Sequence, residues 1–214
     1  MAQEIEIKLR IDDVDAFRRK LERLGAQPVA GNNGSVHEWN VIFDTPQSVL
    51  AMRGQLLRIR TETPARVSVR GEGASRRVIL TFKRPVEQGK EPAAEHYKVR
   101  EELELEVAEA GMLARIFEGL GMRGWFRYEK YRTKYQLAAS VDWAKGLLIE
   151  LDETPIGTFV ELEGLPEAID RAAEELGFSM RDYILTNYLS LYLEDCKQKG
   201  IEPRDMVFPG EKNR

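Results

Sequence analysis

The chain has 214 residues, 43% of them hydrophobic and 32% charged, with a formal net charge of −4. That length fits one large domain with a substantial core, and the acidic balance argues against bulk attraction to nucleic acid or an anionic membrane. Cys196 is the sole cysteine, which excludes an intrachain disulfide, no apolar run approaches the roughly 20 residues that cross a bilayer, and charge begins at Glu4 with no apolar leader ahead of it, so the cytoplasm is the expected compartment.

Residues 4–11 read Glu-Ile-Glu-Ile-Lys-Leu-Arg-Ile. As a β-strand this sends Ile5, Ile7, Leu9 and Ile11 to one face and Glu4, Glu6, Lys8 and Arg10 to the other. Asp12 or Asp13 then caps a helix carrying Val14, Phe17, Leu21 and Leu24, with Gly25 as its stop. Apolar alternation predicts further strands over 36–44, 55–62, 77–84, 94–107, 126–137, 140–143, 146–152 and 157–163. A second helix holds Met112, Leu113, Ile116, Phe117 and Leu120, and a third holds Ile169, Ala172, Ala173 and Leu176. The three helices each close on Leu-Gly, which either an old duplication or helix-stop chemistry would produce. The stretch 63–76, with Pro64, Gly71 and Gly73, reads as a hairpin loop, 90–92 as another, and Asp142 to Gly146 as a tight turn. A last helix spans about Tyr183 to Lys197, and the tail 196–214 reads as weakly ordered. About eight antiparallel strands with few crossovers make a closed barrel flanked by helices the economical α+β architecture, as one domain over 1–195.

Charges recur on alternating positions. Arg58 and Arg60, Lys83, Arg100 with Glu102 and Glu104, Lys130 with Arg132, and Glu161 with Glu163 each sit at strand spacing. Turned into a dry barrel, such faces would cost several kcal/mol per unpaired ion. A wet tunnel that receives a polyanion and a cation resolves the conflict. Arginine offers phosphate a two-pronged grip and lysine a compact charge. Glu4, Glu6, Glu102, Glu104, Glu161 and Glu163 cannot hold phosphate but suit Mg²⁺ or Mn²⁺. If bases are in surplus there, removing one should relieve repulsion.

Glu4-Ile-Glu-Ile-Lys8 resembles the ExExK signature of the CYTH superfamily, the triphosphate tunnel metalloenzymes, which includes class IV adenylate cyclases, thiamine triphosphatases and inorganic triphosphatases. The ordered set that follows, through Arg58-x-Arg60, Lys83, Arg100-x-Glu102-x-Glu104, Lys130-x-Arg132, Asp142 and Glu161-x-Glu163, carries the resemblance over roughly residues 3 to 192. It implies an eight-stranded tunnel. It implies metal at Glu161 and Glu163, helped by Glu4, Glu6, Glu102, Glu104 and Asp142, and phosphate at Arg58, Arg60, Lys83, Lys130 and Arg132. Arg100 would bind phosphate or pair internally, and Lys8 would touch phosphate or steady the acids. Glu4 or Glu6 would orient the attacking water. His37, His96 and Cys196 form no metal site by this reading.

The resulting expectation is an enzyme hydrolysing an inorganic or organic triphosphate with Mg²⁺ or Mn²⁺. An adenylate cyclase is the alternative, and a non-catalytic polyphosphate-binding module the second. The His-Phe pair that such cyclases often carry before ExExK is not present ahead of Glu4, which tilts the balance toward hydrolysis. Gly71-Glu-Gly-Ala-Ser-Arg lacks the GK[ST] ending of a P-loop. The partner is a small triphosphate rather than nucleic acid or membrane, and the sequence leaves monomer and homodimer equally open.

Overall fold

The computed structural model describes residues 2–29, 35–65, 76–86 and 95–210. Its elements run β1 (Ala2–Ile11), α1 (Val14–Leu24), β2 (Gln27–Pro28), β3 (Val36–Asp44), α2 (Val49–Met52), β4 (Leu56–Pro64), β5 (Arg77–Pro85), β6 (Lys98–Val107), α3 (Ala110–Gly119), β7 (Arg123–Gln136), β8 (Leu148–Thr154), β9 (Gly157–Glu163), α4 (Pro166–Glu175) and α5 (Tyr188–Lys199). The sheet order is β2-β7-β3-β4-β5-β6-β1-β9-β8, and β8 pairs again with β7. Eight strands therefore close into an antiparallel barrel, with the two-residue β2 lying outside the ring. Closure gives each of those eight strands a neighbour on both sides.

The barrel is apolar outside and charged inside. Ile7, Leu9 and Ile11 of β1, with Leu151, Val160 and Leu162, form an outer core against Phe17 and Leu21 of α1 and Ile169, Ala172 and Ala173 of α4. Asp13 caps α1 by accepting from the Ala16 N–H at 2.8 Å, and Gly25 ends it in the left-handed region at φ 80°, where a side chain would be strained. α3 covers another outer face, packing Phe117 on Phe43, Ile59 and Val78. Because side chains alternate, the charged residues between these apolar ones face the lumen.

One part of the lumen is filled. Phe126 and Tyr128 lie on the same strand face as Lys130, and Phe159 on the same face as Glu161; all three are buried with Ile42, Tyr188 and Tyr192. α5 thus seats its aromatic residues on the barrel interior. The chain after Gly200, expected to be weakly ordered, docks instead: Met206 is buried, its N–H donates to the Arg127 carbonyl at 2.9 Å and its carbonyl accepts from the Glu129 N–H at 3.1 Å. It covers the part of β7 that β8, which pairs only with Tyr131 to Tyr135, leaves unpaired. Cys196 lies within α5, so the boundary expected after residue 195 falls inside a helix.

Two other expectations change. The strand expected at 140–143 is a 3₁₀ turn, Asp142–Ala144, because Val141 and Trp143 pack sideways into the outer core rather than alternating across a ladder. The last helix starts at Tyr188 rather than near Tyr183, capped by the Asn187 side chain accepting from the Ser190 N–H. Of the loop expected over 63–76, Thr63 and Pro64 instead end β4, while 66–75, like the loop at 90–92, lies outside the described residues.

Candidate functional site

The lumen encloses a cavity of about 420 Å³. Its wall gathers Glu4, Glu6, Lys8, Arg58, Arg60, Lys83, Arg100, Glu102, Glu104, Lys130, Arg132, Glu161 and Glu163, which is every residue expected there except Asp142. Asp142 is exposed in its 3₁₀ turn and off this wall, because the strand that would have carried it is absent. Lys98, Lys134 and Glu150 join the lining. Bases and acids are close to balanced, so the expected surplus of bases does not exist.

Register explains how so many ions coexist. Lys8 faces Glu161 across β1–β9 and donates to its carboxylate at 2.5 Å. Arg132, on the neighbouring wall, forks onto Asp152 and also reaches Glu150 and Glu161. Glu150 and Glu161 are direct cross-strand partners, a like-charge pairing that would repel, and the Arg132 guanidinium joins them. Its charge, added to Lys8 and Lys130, overcomes the upward push of burial and holds Glu161 well below the usual carboxylate range. Asp152 takes further donors from Lys130 at 2.9 Å and the Tyr188 hydroxyl at 2.6 Å. Beneath them Glu38 is fully buried, 3.6 Å from Lys130, 3.7 Å from Arg132 and 4.0 Å from Arg60.

A second basic group lies on β4 and β5. Arg58 donates to the Tyr128 hydroxyl at 2.9 Å and to Thr81 at 3.2 Å, and Arg60 to Glu104 at 3.0 Å. Lys83 spans β6 to grip both oxygens of Glu4 at 2.6 and 2.7 Å. Arg100 points to the Gly54 carbonyl at 2.8 Å, tying β6 to the turn before β4.

The acids of β1 and β9 behave differently from Glu161. Glu6 and Glu163 are opposed across the ladder. Burial and Glu161 push Glu6 up, but Lys98, Lys8 and Lys83 together hold it at about 2. Glu163 has no ion pair or side-chain hydrogen bond among the described residues, and burial, with Glu150 and Glu4 nearby, pushes it up to about 8. Glu4 rises to about 6 through burial, against the pull of Lys83. Among the described residues no three carboxylates already converge as a finished metal cage. Yet a patch of opposed acids in which Glu163 has no ion-pair partner among the described residues has the oxygen-only donor chemistry that a hard divalent cation takes. The residues fit such an ion.

Glu150 on the cavity wall, and Glu38 and Asp152 buried behind it as partners of its bases, are residues that strand alternation could have flagged: His37-Glu38-Trp39-Asn40 and Glu150-Leu151-Asp152 carry the same every-second-residue signal as Arg58-Ile59-Arg60.

A closed antiparallel barrel with buried outer faces and an ionic lumen defines a charged-tunnel protein. The chain belongs to the CYTH domain family, whose model matches residues 2–188. It is 38% identical over 76 residues to the adenylate cyclase CyaB of Aeromonas hydrophila, a match that spans 34% of this chain and 38% of that relative's length. A solved adenylate cyclase candidate from Vibrio parahaemolyticus superposes with a TM-score of 0.66 at 18% identity, covering 88% of this chain and 96% of its own. A Pyrococcus horikoshii protein superposes at 0.65 with 24% identity over 90% of this chain and 99% of its own. A Hippeastrum adenylyl cyclase candidate with a dominant triphosphatase activity superposes at 0.52 with 20% identity, covering 98% of this chain and all of its own. At these identities the solved structures bear on the fold. Among the described residues no helix is long and apolar enough to cross a membrane.

Proposed function

We propose that this chain is a triphosphatase that uses Mg²⁺ or Mn²⁺ to cleave a triphosphate held in the tunnel. The observation that carries this reading is the mixed ionic lining of a single cavity, in which Arg58, Arg60, Lys83, Lys130 and Arg132 face the same lumen as Glu163, Glu4 and Glu6. The bases position the phosphate chain and stabilise charge that grows on its oxygens, the largest contributions to phosphoryl transfer. Glu163, Glu4 and Glu6 are the residues that would hold the cation, which when bound neutralises phosphate oxygens as a Lewis acid. Glu4, beside that cation, would orient the attacking water and take its proton through a hydrogen bond. Water attacks the terminal phosphorus, the bond from that phosphorus to the bridging oxygen breaks, and diphosphate leaves as the transferred phosphoryl group becomes orthophosphate.

The Hippeastrum neighbour supports hydrolysis. The CyaB match supports a second reading, cyclisation of ATP to cyclic AMP and pyrophosphate. One panel separates them: tripolyphosphate, thiamine triphosphate, ATP and GTP with Mg²⁺ or Mn²⁺, read for orthophosphate, pyrophosphate and cyclic AMP. Orthophosphate as the main product is expected. Cyclic AMP and pyrophosphate as main products from ATP would replace the hydrolase with the cyclase, and triphosphate binding without turnover would leave a binding module.

A further inference from the structure

Where β3 ends and β4 and β7 begin, the cavity lining turns largely apolar. Ile42, Leu56, Trp125 and Leu189 line it there beside the charged wall, with Gln55 among them. A bare phosphate chain has no use for such a surface, since it offers only charged oxygens.

Trp125 reaches this lining through an irregularity in β7. Ile42 pairs with Phe126, but the next residue, Phe43, pairs with Gly124, so Trp125 has no partner in β3. In an unbroken strand Trp125 would share the outward face with Arg127; a β-bulge, which inserts one extra residue, turns its side chain to a new direction. Gly124 permits the close approach that follows, because a Cβ there would lie 2.8 Å from Cγ1 of Val41. The indole is anchored against Phe126, with ring centroids 5.8 Å apart at 37°. It is 40% exposed and contributes to the cavity lining. On the same stretch of lining the Gln55 side chain carries no hydrogen bond among the described residues, leaving an amide donor and acceptor free.

We propose that Trp125 is the specificity-determining residue of the tunnel, stacking its indole on a planar heteroaromatic group attached to the triphosphate, with Gln55 addressing that ring's edge. This rests on the triphosphate reading above and adds that the substrate is organic and aromatic. A large flat side chain loses little conformational freedom when it stacks, and every nucleobase-like ring presents a π-face to it.

The test is steady-state kinetics of wild type, Trp125→Ala and Trp125→Phe on ATP and on tripolyphosphate, with thermal unfolding of each variant to confirm folding. The readout is the ratio of kcat/KM for ATP to that for tripolyphosphate. Trp125→Ala should lower this ratio roughly tenfold, equivalent to about 1.4 kcal/mol, mainly through KM for ATP, and Trp125→Phe should restore most of it. A ratio unchanged in Trp125→Ala, or a fall shared equally by both substrates, overturns the assignment while the tunnel chemistry stands. A wild type that cleaves tripolyphosphate but does not bind ATP overturns it in the same way. If wild type neither binds nor cleaves either compound, the triphosphate reading itself fails and takes this inference with it.

Discussion

Lys83 on β5 and Glu4 on β1 are joined across an intervening strand, the ammonium lying 2.6 and 2.7 Å from the two carboxylate oxygens. On the function proposed above, a phosphate would engage the first and a divalent cation the second. Each ligand would then free the group that the other engages, and the pair would couple the two binding events.

The first prediction is that coupling. Mg²⁺ should tighten tripolyphosphate binding at least fivefold, and tripolyphosphate should tighten Mg²⁺ by the same factor, as linkage requires and within the usual range of coupling between sites. Isothermal titration in both orders measures it. Independent affinities would show that Lys83 and Glu4 do not exchange partners.

Glu161 and Glu163, two residues apart, should respond differently to the same change. Glu161→Gln leaves Lys8 buried without its ion-pair partner and takes one of three carboxylates from Arg132, so it should destabilise the fold by about 3–5 kcal/mol, the usual result of removing one member of a buried pair. Glu163→Gln breaks no described ion pair, so it should leave stability within about 0.5 kcal/mol of wild type or above it while removing metal-dependent turnover. Urea unfolding beside phosphate release compares them, and equal stability losses would contradict the distinction.

Arg132→Met should be the most damaging change among the bases. It leaves Glu150, Asp152 and Glu161 without their shared guanidinium, at a cost of about 3–5 kcal/mol by the same reasoning. Lys83→Ala, at a half-buried and wetter position, should cost less stability and instead weaken triphosphate binding by about 1.5–3 kcal/mol. Denaturation midpoints and tripolyphosphate affinities check both arms.

Acid stability should be set in part by Glu38. Burial pushes its carboxyl up, but Lys130, Arg132 and Arg60 prevail and hold it well below the ordinary range. A carboxyl depressed in the folded state contributes stability that is complete above the unfolded value and lost as pH falls through the folded one. Wild type should therefore lose stability progressively below the ordinary value of 4.5, and Glu38→Gln should flatten that slope. Melting curves from pH 6 downward, roughly in half-unit steps across the carboxylate range, decide the matter.

The terminal strap supplies a fifth test. Met206 is buried beside Tyr128, whose hydroxyl accepts from Arg58. Met206→Ala should cost about 2–5 kcal/mol as a cavity in a closed core. Removing 201–214 should also weaken tripolyphosphate binding, because the support behind the Tyr128–Arg58 contact is lost. A truncated chain with unchanged melting temperature and affinity would make the strap dispensable.

Much of the fold was legible because period-two alternation in β1, β4, β6 and β9 is strong and uninterrupted. Alternation alone picks out the wall residues of these strands, since a side chain's face follows from its parity. Parity failed where tertiary packing set the geometry. Val141 and Trp143 alternate around Asp142, yet they fold into a 3₁₀ turn because both serve the outer core. Glu202-Pro203-Arg204-Asp205-Met206 has no period at all, and its order comes from an unpaired stretch of β7 that no local pattern announces. Trp125 was invisible for a third reason: a bulge is a mismatch between two strands, and neither strand records it alone.

That mismatch also divides β7 into two parts with separate fates. Between Phe126 and Lys134 the lumenal residues keep a fixed step against β3 and β8. Ahead of the bulge, from Arg123 to Trp125, the backbone has already stepped out of phase. A length change in the turn leaving α3 would be taken up ahead of the bulge, with no rotation of Lys130 or Arg132 out of the tunnel. The register of the ionic wall is in this sense insulated from the segment that carries Trp125.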